Sequence, residues 1–394
     1  IKIDRVYFSN DLNRYHQLYS TAYFLTTAGD LYSCGFNGSG ECGIGNTTTP
    51  QTTPSKVSNI GVGTAPGAVT DFWNLHNSYS SMSFAKCADG KVYGWGDNSG
   101  YGLGDGTTTD RSAPAEIPAL SGTIKMVGFN GTSYHSGGFG GSSDTYVINF
   151  ALLSNGRLKG AGRDFNGYGI FADGDSSVHY VTTYTDVSGV SSFTDVDLSS
   201  NWNYHAVGLT SDGSVFTWGN NSEGQLDGLT TSEQTTPHKL DNVTGCLSGS
   251  FDGNTYDIRG QIKRVLIPKA PNGTTDQGPE VTVFITNSNE IWSFGRSGDG
   301  TAVGSTDKYS YCPLAIGVHA DPETRGVQKW TLPCDPSEIK ELKQHCTNHY
   351  NYYFTYSMVI LTNDGKVFMS GAPPGIAPGV TTHTNKRYWQ QVLF

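Results

Sequence analysis

Six 15-residue segments of the chain align without a gap, and no other feature restricts its fold as strongly: "TAYFLTTAGDLYSCG" (21–35), "MSFAKCADGKVYGWG" (82–96), "INFALLSNGRLKGAG" (148–162), "HAVGLTSDGSVFTWG" (205–219), "VTVFITNSNEIWSFG" (281–295) and "SMVILTNDGKVFMSG" (357–371). Their closing glycines, Gly35, Gly96, Gly162, Gly219, Gly295 and Gly371, are 61, 66, 57, 76 and 76 residues apart. Self-similarity at such a period belongs to architectures built from one supersecondary unit per repeat. In each window an alternating apolar stretch meets a turn at Ala28–Gly29, Asp89–Gly90, Asn155–Gly156, Asp212–Gly213, Ser288–Asn289 or Asp364–Gly365, and a second alternating stretch follows. That is a β-hairpin with a two-residue turn, where Gly or Asn takes up positive φ at little cost. A glycine at the end of every second strand marks backbone that turns sharply or lies against a neighbour with no room for a Cβ.

Two more strands complete each repeat. Eighteen or nineteen residues beyond the closing glycine stand Pro54, Pro114, Pro237 and Pro313, each followed three residues later by Val57, Ile117, Leu240 or Ile316; Trp389 and Val392 fill this frame in the last copy. Proline suits the start of an edge strand, and the apolar residue anchors it. Ahead of the hairpins lie further short strands, "IKIDRVYF" at the N-terminus, "TIKMVGF" (123–129), "SFTDVDL" (192–198) and "QIKRVLI" (261–267). Four-stranded units of this size cannot bury both faces alone, and radial repetition removes long exposed edges. The expected fold is all-β, a β-propeller of six four-stranded blades forming a single domain over 1–394, closed by pairing of the terminal strands "IKIDRVYF" and "YWQQVLF". The long connections 241–280 and 317–356 show no second hairpin signature, which favours six blades over seven.

Composition agrees with many short strands and tight turns: 51 Gly, 22 Tyr and only 15% charged residues. With that pattern in view, "DGKVYGWGDNSGYGLGDG" (89–106) and "DGSVFTWGNNSEGQL" (212–226) resemble the regulator of chromosome condensation repeat. "GDLYSCGFNGSGECGIG" (29–45) and "GRLKGAGRDFNGYGIF" (156–171) resemble it with substitutions, and the last two copies keep the hairpin and glycine. The resemblance covers essentially the whole chain and implies a propeller, usually of seven blades. It leaves function open, because the family includes a nucleotide exchange factor for a small GTPase, ubiquitin-ligase domains, a plant ultraviolet-B photoreceptor, an inhibitor of β-lactamase, and phage-tail and bacterial surface propellers. Most bind a protein partner on one face. The photoreceptor's Gly-Trp-Arg-His-Thr repeat is absent here.

A formal net charge of −10 and no basic cluster longer than "NKR" (385–387) argue against a nucleic-acid partner. No apolar run approaches the roughly 18 residues of a membrane span, so no membrane insertion is expected. The start at Ile1 leaves room for a leader or an upstream domain. Seven cysteines are too few and scattered for a disulfide framework; Cys34 and Cys42 could bridge within one loop or remain buried thiols. Sequons such as Asn37, Asn46, Asn130, Asn242 and Asn272 are what a chain rich in Asn, Ser and Thr offers by chance.

Chemistry-bearing constellations are sparse. The arginines share no common blade position, and Asp97, Asp164, Asp227 and Asp299 lie in loops that use Asp to bond their own backbone. His345, Cys346 and His349, with Cys334 upstream, have the spacing of zinc ligands on a helix after a cap at Asp335 and Pro336, yet the repeat frame assigns "EIKELKQ" to a strand. "ADGDSS" (172–177) lacks the spaced acids of a calcium loop, and "GFGGSSD" (138–144) reads as an insertion in the third blade. No nucleophile elbow accompanies the scattered Ser, His and Asp. No catalytic residue, metal or cofactor is therefore expected.

Aromatic surface is the remaining signal. Tyr101 and Tyr168 sit in signature loops as "GYG", and Tyr350 and Tyr352 fall in "HYNYYFTY" (349–356), where packing between blades is the alternative reading. Tyrosine combines contact area with a polar tip at low entropy cost. These four are the expected partner-binding residues. The expected function is a non-enzymatic scaffold, in a larger assembly or alone, binding a protein or cell-surface glycan in the manner of a phage-tail or bacterial surface adhesin at the cell exterior or virion surface. The alternatives are a cytoplasmic regulator of a small GTPase and a glycan-cleaving enzyme.

Overall fold

The computed structural model describes residues 1–9, 20–76, 81–134, 143–164, 166–187, 189–199, 204–222, 224–227, 230, 232–243, 245–251, 254–267, 280–296, 328–329, 332–349, 353–371 and 386–392. It is all-β, and its strands form six four-stranded antiparallel blades of the propeller type. The chain divides into two compact units, Ile1–Phe193 with 272–274 and Thr194–Pro271 with Thr275–Phe394.

The first unit holds three blades, each meandering in chain order. They are β1 (Ile3–Phe8), β2 (Thr21–Thr26), β3 (Leu31–Gly35) and β4 (Gln51–Lys56); β5 (Val69–His76), β6 (Ser81–Cys87), β7 (Val92–Gly96) and β8 (Arg111–Glu116); and β9 (Thr123–Tyr134), β10 (Ser143–Leu153), β11 (Leu158–Asp164) and β12 (His179–Asp186). The second unit holds β13 (Phe193–Leu198) except for its first residue, then β14 (His205–Thr210), β15 (Val215–Gly219) and β16 (Gln234–Lys239). A separate hairpin, β17 (Ser248–Phe251) with β18 (Asn254–Asp257), comes next. The last blades are β19 (Ile262–Leu266), β20 (Glu280–Thr286), β21 (Ile291–Arg296) and β22 (Gln328–Lys329), then β23 (Ile339–His349), β24 (Tyr353–Thr362), β25 (Val367–Gly371) and β26 (Lys386–Val392).

Local rules account for the repeat, with corrections to the sequence reading. The six central hairpins share one turn, and it is not a two-residue turn. In the first, Gly29 N–H donates to Thr26 O (3.0 Å) and Thr26 N–H to Asp30 O (2.8 Å). This is a type I turn followed by a left-handed residue, a three-residue loop. The same pair of bonds closes the loops at Gly90, Gly156, Gly213, Asn289 and Gly365, all with positive φ. The outer strands β4, β8 and β16 carry Pro54, Pro114 and Pro237 inside the strand rather than at its start. Each lies within a register shift against the neighbouring strand, where the missing N–H costs no ladder bond. Val57, Ile117 and Leu240 after them are buried.

At Gly35, Gly96 and Gly162 a Cβ would collide with the carbonyl oxygen of Ser20, Ser81 or Val147, and each glycine has positive φ. Gly219 is likewise left-handed (φ 100°); Gly295 and Gly371 pair with Val281 and Ser357 at their strand ends.

The connection 241–280, in which no hairpin was expected, contains β17 and β18, two strands that form no blade of their own. From Ile339 onward the "EIKELKQ" segment is strand, as the repeat frame requires. Its helix-start sequence yields only one 3-10 turn, Pro336–Glu338, capped by the Asp335 side chain. Cys34, Cys42, Cys87, Cys246 and Cys334 are free thiols, so Cys34 and Cys42 do not bridge. Among the described residues, no helix is long and apolar enough to cross a membrane.

Apolar faces of adjacent blades make the cores. In the first unit, Tyr23, Leu25, Phe72, Ala85 and Trp95 form one buried cluster, and Met82, Phe84, Leu103, Val147 and Tyr184 belong to the next. Phe72 sits among Tyr7, Tyr23 and Trp95 at ring-centroid distances of 4.9, 4.8 and 6.0 Å. Trp95 is fully buried, and emptying its place would cost about 3–5 kcal/mol. In the second unit, Val207, Leu247, Ile258 and Phe284 share one cluster and Val283, Ile291 and Ile360 another.

Candidate recognition surface

In each of the four described signature loops, those after Gly35, Gly96, Gly162 and Gly219, one buried side chain pins the backbone. Asn98 accepts from Leu103 N–H through Oδ1 (2.9 Å) and donates from Nδ2 to Thr107 O (2.8 Å). Asn37 and Asn221 accept from Cys42 N–H and Leu226 N–H (both 2.9 Å) in the same way. In the third blade Asp164 takes the role, accepting from Gly167, Gly169 and Ile170 N–H. A buried amide satisfied on both ends fixes a loop that otherwise has no ladder.

Three of the pinned loops, those of Asn37, Asn98 and Asn221, then offer one carbonyl to the next blade within their unit. Glu41 O accepts from the Tyr23 hydroxyl and from Trp95 Nε1–H, both at 2.8 Å. Gly102 O accepts from Asn149 Nδ2 (2.8 Å), and Gln225 O from Thr282 Oγ1 (2.7 Å). The donors Asn149 and Thr282 hold matching register positions on β10 and β20. The loops thus clasp neighbouring blades, and their tips form a preorganised surface.

On that surface in the first unit, the second blade's loop and the outer strand of the third bring aromatic and charged groups together. Tyr101 is left-handed, φ 61°, where Gly40 and Gly224 hold the matching place in sibling loops with φ 83° and 75°. A non-glycine residue there costs about 1 kcal/mol or more. Gly40 has no choice, because a Cβ would strike Ser112 and Arg111 of β8. Tyr101 instead sets its ring edge-on to Tyr180 of β12, centroids 5.4 Å apart. Tyr180 is 50% exposed, and the Arg163 guanidinium lies over its ring at 5.1 Å. Arg163 and Tyr180 are direct partners across β11 and β12.

The next residue extends the cluster. His179 packs edge-on against Phe171 (5.8 Å), with Nε2 3.0 Å from Asp173 Oδ2 and Nδ1 2.8 Å from Ser177 O. Partial burial lowers its pKa, but the Ser177 carbonyl and the charges of Asp173, Asp164 and Asp175 outweigh this and raise it above the ordinary histidine value. Bonds from Ser177 hold Asp175 below the usual carboxylate range. The "ADGDSS" loop is therefore tied by a histidine; among the described residues no group of three or more His, Cys, Asp or Glu side chains could hold a metal ion.

Of the expected partner-binding residues, Tyr101 lies in this cluster. Tyr168 is half-buried in the neighbouring loop without Tyr101's left-handed backbone, which falls to Gly167 and Gly169 on either side. Tyr350 and Tyr352 lie outside the described residues, as does most of "GFGGSSD". The sequence reading missed Tyr180, Arg163, His179 and Phe171, because β12 carries no proline to mark it. Tyr184 takes the proline's place, buried, its hydroxyl 3.4 Å from Gly102 O.

Comparison with known proteins bears on the repeats. Residues 89–137 and 212–248 match the model described as regulator of chromosome condensation (RCC1) repeat, and a second model of that description matches residues 196–225. The chain is similar to the Arabidopsis thaliana ultraviolet-B receptor UVR8, 30% identical over 51% of this chain and 40% of the receptor. It is 27% identical to the mitochondrial RCC1 domain-containing protein RUG3 of the same plant, over 56% of this chain and 45% of that protein. The chain thus spans less than half the length of either relative. Yeast RCC1 (Prp20), solved bound to Kap60, superposes with a TM-score of 0.56 over 95% of this chain and 73% of the other. At 14% identity that likeness shows the fold alone. Together the repeat matches and relatives support the RCC1 repeat family.

Proposed function

We propose that this RCC1-like propeller is a non-enzymatic recognition scaffold that binds a protein through the loop surface around Tyr101 and Tyr180. The observation that carries the reading is the Tyr101–Tyr180–Arg163 cluster: a half-exposed aromatic pair with a guanidinium laid over it, held by a loop that the buried Asn98 side chain pins. Tyr and Arg on a rigid frame are the residue types that dominate binding energy at protein interfaces, since little freedom is lost when they are covered. Tyr101 keeps a backbone that costs free energy where its siblings use glycine, which is the mark of a side chain retained for contact.

The narrower form of the proposal places the chain at a bacterial or virion surface, and its support is the Gly, Ser, Thr, Asn and Tyr-rich composition. A glycan is the second reading for the partner, favoured by the same exposed tyrosine ring, which offers a platform to a sugar. Labelled protein applied to intact bacterial cells and to cytosolic extract, with and without protease or periodate treatment, tests both. Wild type should bind at least ~10-fold better than Tyr101→Ala/Tyr180→Ala, with protease abolishing binding for a protein partner and periodate for a glycan. Equal binding by the double variant would refute the surface assignment, and a small GTPase captured from the extract would favour the regulator alternative.

A further inference from the structure

We propose that His179 is a pH-operated latch: protonated, it holds the segment 173–178 in place beside the recognition surface, and on losing its proton it lets that segment go. The inference goes beyond the recognition-scaffold reading and stands without it, because it concerns the chain's own loop.

His179 opens β12, and its ring reaches back over the preceding segment, with Nδ1 2.8 Å from Ser177 O and Nε2 3.0 Å from Asp173 Oδ2. A carbonyl and an ionised carboxylate only accept, so both contacts are hydrogen bonds only when both ring nitrogens carry a proton. A neutral imidazole has one N–H. It satisfies one of the two oxygens and turns a lone pair towards the other. Phe171, itself buried, packs edge-on against the ring, with 5.8 Å between centroids.

The charged groups around the ring agree in sign. Asp164 lies directly opposite His179 in the β11–β12 ladder and so shares its face of the blade, and Asp175 Oδ2 is 3.9 Å from Nδ1. Arg163, the neighbouring cation, pairs with Tyr180 on the other face. Partial burial opposes the charged ring, but the Ser177 carbonyl and the charges of Asp173, Asp164 and Asp175 outweigh it, and the pKa is raised. The latch is therefore closed below 6.5 and opens as pH rises through the folded value.

What the latch holds is separable from the loop before it. Within the segment, Asp175 N–H donates to Asp173 Oδ1 (3.0 Å) and Ser177 N–H to Asp175 Oδ1 (2.7 Å). Upstream, the N–H groups of Gly167, Gly169 and Ile170 are bound to Asp164 and do not depend on the histidine. Val178 and Tyr180 are exposed on either side of His179, so the latch sets the rim of the recognition surface.

The test is hydrogen exchange on the full chain from pH 5.5 to pH 9, read residue by residue by mass spectrometry and corrected for the intrinsic rate of each amide. Asp175 and Ser177 should lose protection ~10-fold or more across that range, the worth of one charge-assisted hydrogen bond, while Gly167, Gly169 and Ile170 keep theirs. The midpoint of the change should coincide with the titration of the His179 ring followed by NMR. His179→Gln, which has no titrating ring, should show low protection at Asp175 and Ser177 at every pH. Constant protection in wild type, a midpoint apart from that of the ring, an unaltered pH response in His179→Gln, or opening of the Asp164-bound amides in step with the segment would each overturn the latch. Partner binding plays no part in these readings, so they leave the scaffold proposal to its own test.

Discussion

Glu41→Gln should stabilise the protein at alkaline pH and leave it nearly unchanged in acid. Burial pushes the Glu41 carboxyl up against bonds from its own backbone N–H and that of Ser39, and the charges of Asp97 and Asp110 add to the rise, carrying it from 4.5 to about 7. A raised carboxyl binds its proton more tightly in the folded than in the unfolded state. Its contribution is therefore intact below pH 4.5, declines as pH rises to about 7, and is lost above that. At about 1.4 kcal/mol per pH unit the loss amounts to about 3 kcal/mol for this fully buried group. Glutamine removes the titration and keeps the shape. The fourth blade already uses it at the matching loop position, where Gln225 Nε2 donates to Asn220 Oδ1 (2.7 Å). Urea unfolding at pH 4 and pH 8 should show the variant within ~1 kcal/mol of wild type in acid and ~3 kcal/mol more stable in base. Parallel pH dependence of the two proteins would refute the reasoning.

Other consequences are equally open to measurement. Asn98→Ala removes the pin of the second signature loop and should cost ~2–3 kcal/mol by urea unfolding, because Leu103 N–H and Thr107 O lose a buried partner. Gly162→Ala should cost about 3 kcal/mol or more, since its Cβ would meet Val147 O at positive φ. Tyr101→Gly relieves a left-handed residue and loses an edge-on ring contact, so stability should stay within ~1 kcal/mol while partner binding falls. His179 should titrate above 6.5 by NMR. Its contribution, fully present below 6.5, should fade as pH rises through the folded value, and Asp173→Asn should bring the midpoint down.

What the sequence disclosed follows from what is local. The hairpins, their closing glycines and the apolar anchors Val57, Ile117 and Leu240 are read from spacing alone, because each obeys the period of two along a strand or the needs of one turn. The turn geometry was misjudged by one residue, since a two-residue loop and a type I turn with a left-handed third residue both place Gly late. The recognition cluster was largely hidden. Arg163 and Tyr180 meet only through the register of β11 against β12, and β12 could not be located because Tyr184 replaces the proline that marks its counterparts. Glu41 looks unremarkable within "GECG"; its burial comes from the next blade lying on its loop, a contact that no local pattern encodes. Tyr101 was visible because "GYG" interrupts a loop that is otherwise Gly, Ser and Asn.

The most direct test of recognition through this surface is photo-cross-linking from two sites. A benzophenone attached at position 180 in the first unit, and in a separate sample at position 257 in the second, would be exposed to the cells or extract that bind the protein. Cross-links to a partner from position 180 and none from 257 are the predicted result. Cross-links from 257 alone would contradict it.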